Sequence, residues 1–490
     1  MNGEAAAAPA AFVNGIDGAT GDSLLPPLSA DSVSALALGE RLDPSEIAEL
    51  RARIENTQLE AFTFIRGVDP TDLADVGWGV VFAHDADPAI REALGPLLDR
   101  RKEQASAQDP RRYREFNGPD AHRPNETHRA WLSRHDVLPE NPVVPERVPY
   151  YLLIVGDPER IPFRFQYGLD VAYAVGRIAF DTVEEYARYS ESVVRAETEA
   201  TARTRMALFG ARNEDDLATS LSADHLVLPL AERLVAKHPD WTFTRNVGAG
   251  EGVDGPATKA ALHGLLNTGE VPSVLFSATH GLAFPRNDPR QRDHQGGLIC
   301  QDWPGRRRWG GRAISEDLYF GAGDTADIDP SGMIAFLFAC YGAGTPRHDD
   351  FVYEALGAPS EIAPRAFLGR LPERLLAHSK GSALAVVGHV ERAWSFSFMW
   401  PGLGEQIDVF EGMLGSVLDG APVGSALELL NLKYSALTAE LDSAREDVKF
   451  GRKPDRVGLS GMWTAKNDAR NYVVVGDPAV RLPARAANRP

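Results

Sequence analysis

Two apolar runs, VPSVLFSATHG and MIAFLFACYGAG, limit what this chain can fold into more than any other feature. Each is short and continuously apolar. Each stops at one reactive side chain, His280 in the first and Cys340 in the second. Runs without polar alternation are strands covered on both faces, the signature of a parallel sheet sandwiched between helices. The carboxyl ends of such strands form the edge where α/β sheets carry their function. Neighbouring strands ending this way would set an imidazole and a thiol in one crevice. There a thiolate can attack while the histidine moves the proton. Gly281 follows the histidine directly, and Gly342 and Gly344 follow the cysteine closely. Residues without a Cβ let backbone approach a bound molecule. The N–H groups of Gly281 and Cys340 are candidate donors to an oxyanion.

The rest of the chain keeps the same rhythm. GWGVVFAHDAD, YYLLIVGDP, MALFGA, TFTRNV, ALAVVGHV and NYVVVGDPAVRLP read as strands. An amphipathic helix is expected at ADPAIREALGPLLDRR, a long polar helix from about Thr182 to Thr204, and further helices at DHLVLPLAERLVAKH, ATKAALHGLLNTG, PERLLAHSKG and VGSALELLNLKYSALTAEL. Alternating strands and helices of this length predict an α/β fold with a doubly wound, mostly parallel sheet flanked by helices. Asp43-Pro44-Ser45-Glu46 has the pattern of a helix start. Residues 104–149, polar and Pro-rich, read as a long surface loop with short helices. The GDP tripeptides at Gly156 and Gly476 read as strand-terminating turns rather than phosphate loops, since neither opens a helix.

Length and charge narrow the function. A chain of 490 residues suggests two or three domains. A net charge of -18 argues against nucleic acid and against anionic membranes as partners. Two cysteines, Cys300 and Cys340, make no disulfide framework. With an N-terminus lacking a basic segment and an apolar core, this leads to the expectation of a cytoplasmic protein. The cysteines lack zinc-site spacing, and no GxSxG or GxxxxGK[ST] motif occurs, so no metal or cofactor is expected. His348, in HDD, reads as part of an exposed turn.

At SVLFSATHG, followed after an insertion by AFLFAC, the sequence resembles the His-Gly and Ala-Cys blocks of the caspase-like clan of cysteine peptidases, and within it the gingipain family. LLIVGDPERIP with AVGRIAFDTVEEY is similar to the segment leading into the catalytic domain there. ALAVVGHVERAW is similar to the strand after the nucleophile, and NYVVVGDPAVRLP to the closing strand. The resemblance runs from Tyr150 to Leu482 and implies a caspase-like fold. It implies a peptidase with Cys340 as nucleophile, His280 as proton shuttle, and Gly281 and Cys340 as oxyanion donors, acting on a protein or peptide substrate. The expected organisation is a flexible tail at 1–35, an N-terminal α/β region at 36–149, a gingipain-like leading subdomain at 150–205 and the catalytic domain at 206–490. The N-terminal region matches poorly and is a candidate regulatory module that binds a partner. The alternative is a catalytically silent scaffold of the same fold, used for partner binding. An intact His280-Gly281 and Cys340 favour the enzyme.

The substrate pocket is less legible. The resemblance implies Trp394 as a pocket wall and an acidic specificity residue near the start of a helix, for which Asp224 is the nearest by position. The competing and simpler reading is that Asp224 caps that helix, as Asp at such a position normally does. Glu391 and Arg392 flank the same pocket with opposite signs. A carboxylate base would select Lys or Arg before the cut, and a guanidinium at Arg392 or Arg212 would select Asp or Glu. The loop at Glu214, Asp215 and Asp216 is acidic, which favours basic substrates. The run Arg306-Arg307-Arg308 is expected in a hairpin loop, either as a solvated face or as a processing site.

Overall fold

The computed structural model describes residues 10–11, 28–29, 68–139, 141–199, 203–214, 216–248, 252–267, 269, 271–309, 312–349, 361–400, 404–450, 452–453 and 456–483. The helix start at Asp43, Asp215 of the acidic loop and most of the tail lie outside them. Ten strands build one central sheet: β1 Trp78–Phe82, β2 Tyr113–Phe116, β3 Tyr151–Val155, β4 Ala174–Ile178, β5 Arg205–Gly210, β6 Thr242–Asn246, β7 Val274–Ala278, β8 Ile334–Phe338, β9 Ala385–His389 and β10 Tyr472–Gly476. Their order is β2-β1-β3-β4-β10-β9-β8-β7-β5-β6. β7, β8 and β9 are buried along their whole length, as their unalternating sequences require.

The sheet has two parallel halves. β2, β1, β3, β4 and β10 run one way. β9, β8, β7, β5 and β6 run the other way. They meet at an antiparallel seam between β10 and β9. Strands at both ends of the sequence share the leading half, so one hydrophobic core spans both halves.

The helices include α1 Pro88–Ala93, α2 Gly95–Ala105, α3 Phe163–Asp170, α4 Val183–Thr198, α5 Leu217–Ser222, α6 Leu228–Lys237, α7 Lys259–Asn267, α8 Arg370–Leu376, α9 Asp408–Leu418, α10 Glu428–Lys449 and α11 Arg456–Arg470. Thr182 and Glu185 form a reciprocal capping box that starts α4. Four expectations change. The single helix after β1 breaks at Leu94, because Pro96 has no N–H to continue the ladder. YREF, read as loop, is strand β2: Tyr113 and Glu115 bond each other on its outer face, and only Phe116 is buried. An edge strand of four residues with one apolar anchor has no alternation to betray it. α9 and α11 were not expected from the sequence. Arg306–Trp309 is a helical turn rather than a hairpin loop.

The GDP turns end strands as expected. Gly156 and Gly476 have φ of 154° and 129°, which disfavour a side chain. Asp477 is buried. It accepts from Trp78 Nε1 at 2.9 Å and pairs with Arg101 at 2.6 Å, which also pairs with Glu197 at 2.6 Å. This chain of buried charges ties the last strand to β1, α2 and α4.

Candidate active site

The register of β7 and β8 places the two reactive residues. Phe338 stands opposite Ala278. His280 and Cys340 are each two residues further on, so they emerge at the same level of the same edge. Thr279 N–H donates to Phe338 O at 3.1 Å and carries the pairing past the strand ends. His280 and Gly281 then turn into a small antiparallel sheet with Leu298–Ile299, which pairs in turn with Tyr319–Phe320.

Gly281 lies flat against the cysteine backbone. A Cβ there would stand 1.8 Å from Cys340 O and 2.8 Å from Cys340 N. No larger residue fits without moving the Cys340 backbone. Beyond Cys340 the chain bends sharply at Tyr341, whose φ is 59°, a left-handed conformation that costs a residue with a Cβ roughly 1–2 kcal/mol. The bend is held by Tyr341 N–H to Glu391 O at 2.7 Å and Ala343 N–H to His389 O at 2.9 Å. The end of β9 thus fixes the cysteine's turn.

Cys340 is a partly exposed residue, and its sulfur accepts from Ala393 N–H at 3.4 Å. Burial pushes the thiol up, while the Ala393 N–H and the Arg392 guanidinium pull it back. Burial prevails, so the free site favours a thiol over a thiolate. Cys300 is fully buried and its thiol is pushed up to about 12 by burial.

His280 Nε2 meets Asp216 Oδ2 at 3.0 Å, and Trp303 packs edge-on against its ring at 6.2 Å between centroids. Asp216 caps α5, accepting from Thr219 N–H at 2.8 Å. Its hydrogen bond to His280 holds its carboxyl well below the usual range. In the sequence Asp216 stands out only as one charge of an acidic loop. The signal for more was there, since Asp216 precedes the first apolar residue of α5 as a cap does. Its second role, orienting the histidine, depends on β5 lying beside β7. Asn213, in the same loop, donates to Cys300 O at 3.0 Å and Trp303 O at 2.9 Å, which places Trp303 against the histidine.

Arg392 and Glu391 flank the thiol through Ala393. Arg392 forms a fork on Asp349 at 2.9 and 2.6 Å and also reaches Glu391 at 2.6 Å. Trp394 N–H donates to Asp468 at 2.8 Å, and Asp468 also holds His389 at 3.1 Å and the Ser397 hydroxyl. Asp468, on α11, therefore orders the loop carrying Trp394. Asp224 does not cap a helix. It sits in a π-helical turn, Ala223–Val227, and pairs with Arg212 at 2.9 Å. Arg308 pairs with Glu214.

One match among solved structures is the crystal structure of the Arg-specific cysteine proteinase gingipain R, with a TM-score of 0.50 and 12% identity over 85% of this chain and 79% of that one. The fold is gingipain-like. Two further structures are similar. One, described only as a protease, has a TM-score of 0.48 and 13% identity over 85% of this chain and 80% of that one. The other is the complex of Porphyromonas gingivalis RgpB pro- and mature domains, with a TM-score of 0.47 and 11% identity over 83% and 80%. No family model matches the chain. No curated protein matches it either. The gingipain-like fold accounts for the mostly parallel ten-strand sheet between helices.

Proposed function

We propose that the protein is a cysteine endopeptidase acting through Cys340 and His280. One observation carries this reading: adjacent strands in register deliver the thiol and an Asp216-oriented imidazole to the same sheet edge. Nε2 is engaged by Asp216, which leaves Nδ1 to take the thiol proton. Because the free site favours the thiol, that transfer accompanies substrate binding. The sulfur attacks the peptide carbonyl, and the N–H groups of Gly281 and Cys340 face the developing oxyanion. His280 returns the proton to the leaving amine. Water then releases the acyl group.

Cys340→Ala should abolish hydrolysis of a fluorogenic peptide library, a loss on the order of 10⁴-fold or more, with the melting midpoint preserved. His280→Ala should lose about as much, because the pair acts as a unit. Full activity in either variant would refute the assignment.

The finer reading is a preference for a basic residue before the cut, with Asp224 as pocket base and Trp394 as wall. The Asp224 carboxylate is engaged by Arg212, so an incoming guanidinium must displace that partner. Arg212→Ala should therefore raise cleavage after Arg relative to neutral residues. A wild-type profile dominated by Asp or Glu would reassign the base to Arg212 or Arg392.

A further inference from the structure

A carboxylate is buried behind the cysteine. Asp468, near the end of α11, is 1% exposed. A carboxylate taken this far from water is costly unless donors surround it. Three donors do: His389 Nε2 reaches Oδ1 at 3.1 Å, Trp394 N–H reaches the same oxygen at 2.8 Å, and the Ser397 hydroxyl reaches Oδ2. His389 Nδ1 has no hydrogen-bond partner, so Nε2 is the nitrogen that gains by carrying a proton. Lys433 of α10 donates to Ser397 O at 2.7 Å, and the Asp468 charge acts on it.

The segment held in this way bears on Cys340 at each step. His389 O accepts from Ala343 N–H at 2.9 Å, just past the cysteine's bend. Val390 N–H donates at 2.9 Å to the carbonyl of Asn471, shortly after Asp468 in sequence. Ala393 N–H donates to the Cys340 sulfur at 3.4 Å, and the next N–H along the chain, that of Trp394, is the one Asp468 holds. A donor aimed at sulfur favours the thiolate, against the burial that disfavours it. The Asp468 charge by itself works the other way and favours the thiol. Arg392 and Tyr341 also face the sulfur. Asp468 can therefore aid a thiolate only through the backbone it fixes, not through its charge.

We propose that Asp468 is a positioning residue of the reaction: by holding Trp394 N–H, it aims the neighbouring Ala393 N–H at the Cys340 sulfur. The proposal rests on the peptidase reading of Cys340.

Asp468→Asn and Asp468→Ala, measured side by side, test it. Both remove the charge. Asparagine keeps an acceptor for Trp394 N–H and His389, and its amide can donate to Ser397 Oγ. Alanine keeps neither. The difference between the two variants thus reads the held backbone and not the charge. Iodoacetamide should alkylate Cys340 at about pH 8 at least about threefold faster in Asp468→Asn than in Asp468→Ala, as read by mass spectrometry. Loss of a bond to a charged group cuts the thiolate fraction about tenfold, and the greater nucleophilicity of a more basic thiolate returns part of that. kcat for peptide hydrolysis should differ in the same direction. Rates are taken below both melting midpoints. If the alanine variant lacks a cooperative transition, Asp468→Ser, whose hydroxyl is too short to span the same donors, takes its place. Equal alkylation in the two folded variants, or faster alkylation without the acceptor, would overturn the role. A wild type that hydrolyses no peptide, with the alkylation difference intact, would overturn the peptidase reading and uphold the placement of Ala393 N–H by Asp468.

Discussion

The two halves of the central sheet are built alike and finish differently. In the leading half, the polar residues at the strand ends are consumed by the fold. Asp157, after β3, accepts from Glu159 and Arg160 N–H at 2.8 and 3.0 Å. Asp477, after β10, is sealed between Trp78 and Arg101. In the trailing half, β7 and β8 end in side chains that stay partly open, and the supporting bonds come from behind them. Asp216 holds the imidazole, while Glu391 and His389 carbonyls hold the backbone under the thiol. Parallel strands concentrate side chains at one edge in either case. The halves differ in whether the neighbouring loops bury those side chains or fix them and leave them partly open.

The largest effect should come from the leading half. Arg101→Met leaves the Asp477 carboxylate buried without its cation and Glu197 with only Arg100 at 3.7 Å, a loss of about 3–5 kcal/mol of stability readable by denaturant unfolding. Simultaneous replacement of all three by apolar residues should restore much of it. If Arg101→Met costs no more than a surface change, the account of a sealed edge fails.

Asp216→Asn should act in the opposite manner. Asparagine caps helices as well as aspartate, so the melting midpoint should fall only modestly, by what the carboxylate's bond to His280 contributes. The rate should fall about 10²–10⁴-fold, because a neutral partner no longer favours the correct histidine tautomer or its charged form. A large fall in midpoint with unchanged kcat would make Asp216 a stability residue only. The native carboxyl lies below its unfolded value, so its contribution to stability is present above about pH 4 and lost as pH falls further. Acid titration of the midpoint difference between wild type and Asp216→Asn checks that sign.

Thiol labelling sharpens the contrast between an open and a sealed cysteine. Cys340 should alkylate faster than Cys300 at every pH, and its rate should keep climbing above pH 9, since burial raises its thiol. Mass spectrometry of iodoacetamide-treated protein reads both sites. Equal rates would remove the distinction.

The smallest effect belongs to the exposed face of the leading half. Arg91 pairs with Glu115 at 2.6 Å on the surface, and Arg91→Ala should cost less than about 1 kcal/mol. A larger loss would mean that β2 depends on this pair for its place in the sheet.

Several of these features were legible in the sequence. Unalternating apolar runs fix β7, β8 and β9 because burial on both faces leaves no polar position to write. The block order at Tyr150 to Leu482 marked the gingipain-like resemblance, and glycine at 281 and positive-φ glycines at 156 and 476 marked close approach and turns. Other features required the folded chain. β2 is a strand only because β1 offers it a ladder, since YREF has one buried side chain to give. Asp224 looked like a cap or a bare pocket carboxylate, yet a π-helical turn carries it to Arg212. Asp216 reaches His280 across 64 positions of sequence, and Asp468 reaches the Trp394 loop across 74. Periodicity and residue type report burial, which is local. Which two polar groups meet depends on strand order and direction, which only tertiary packing decides.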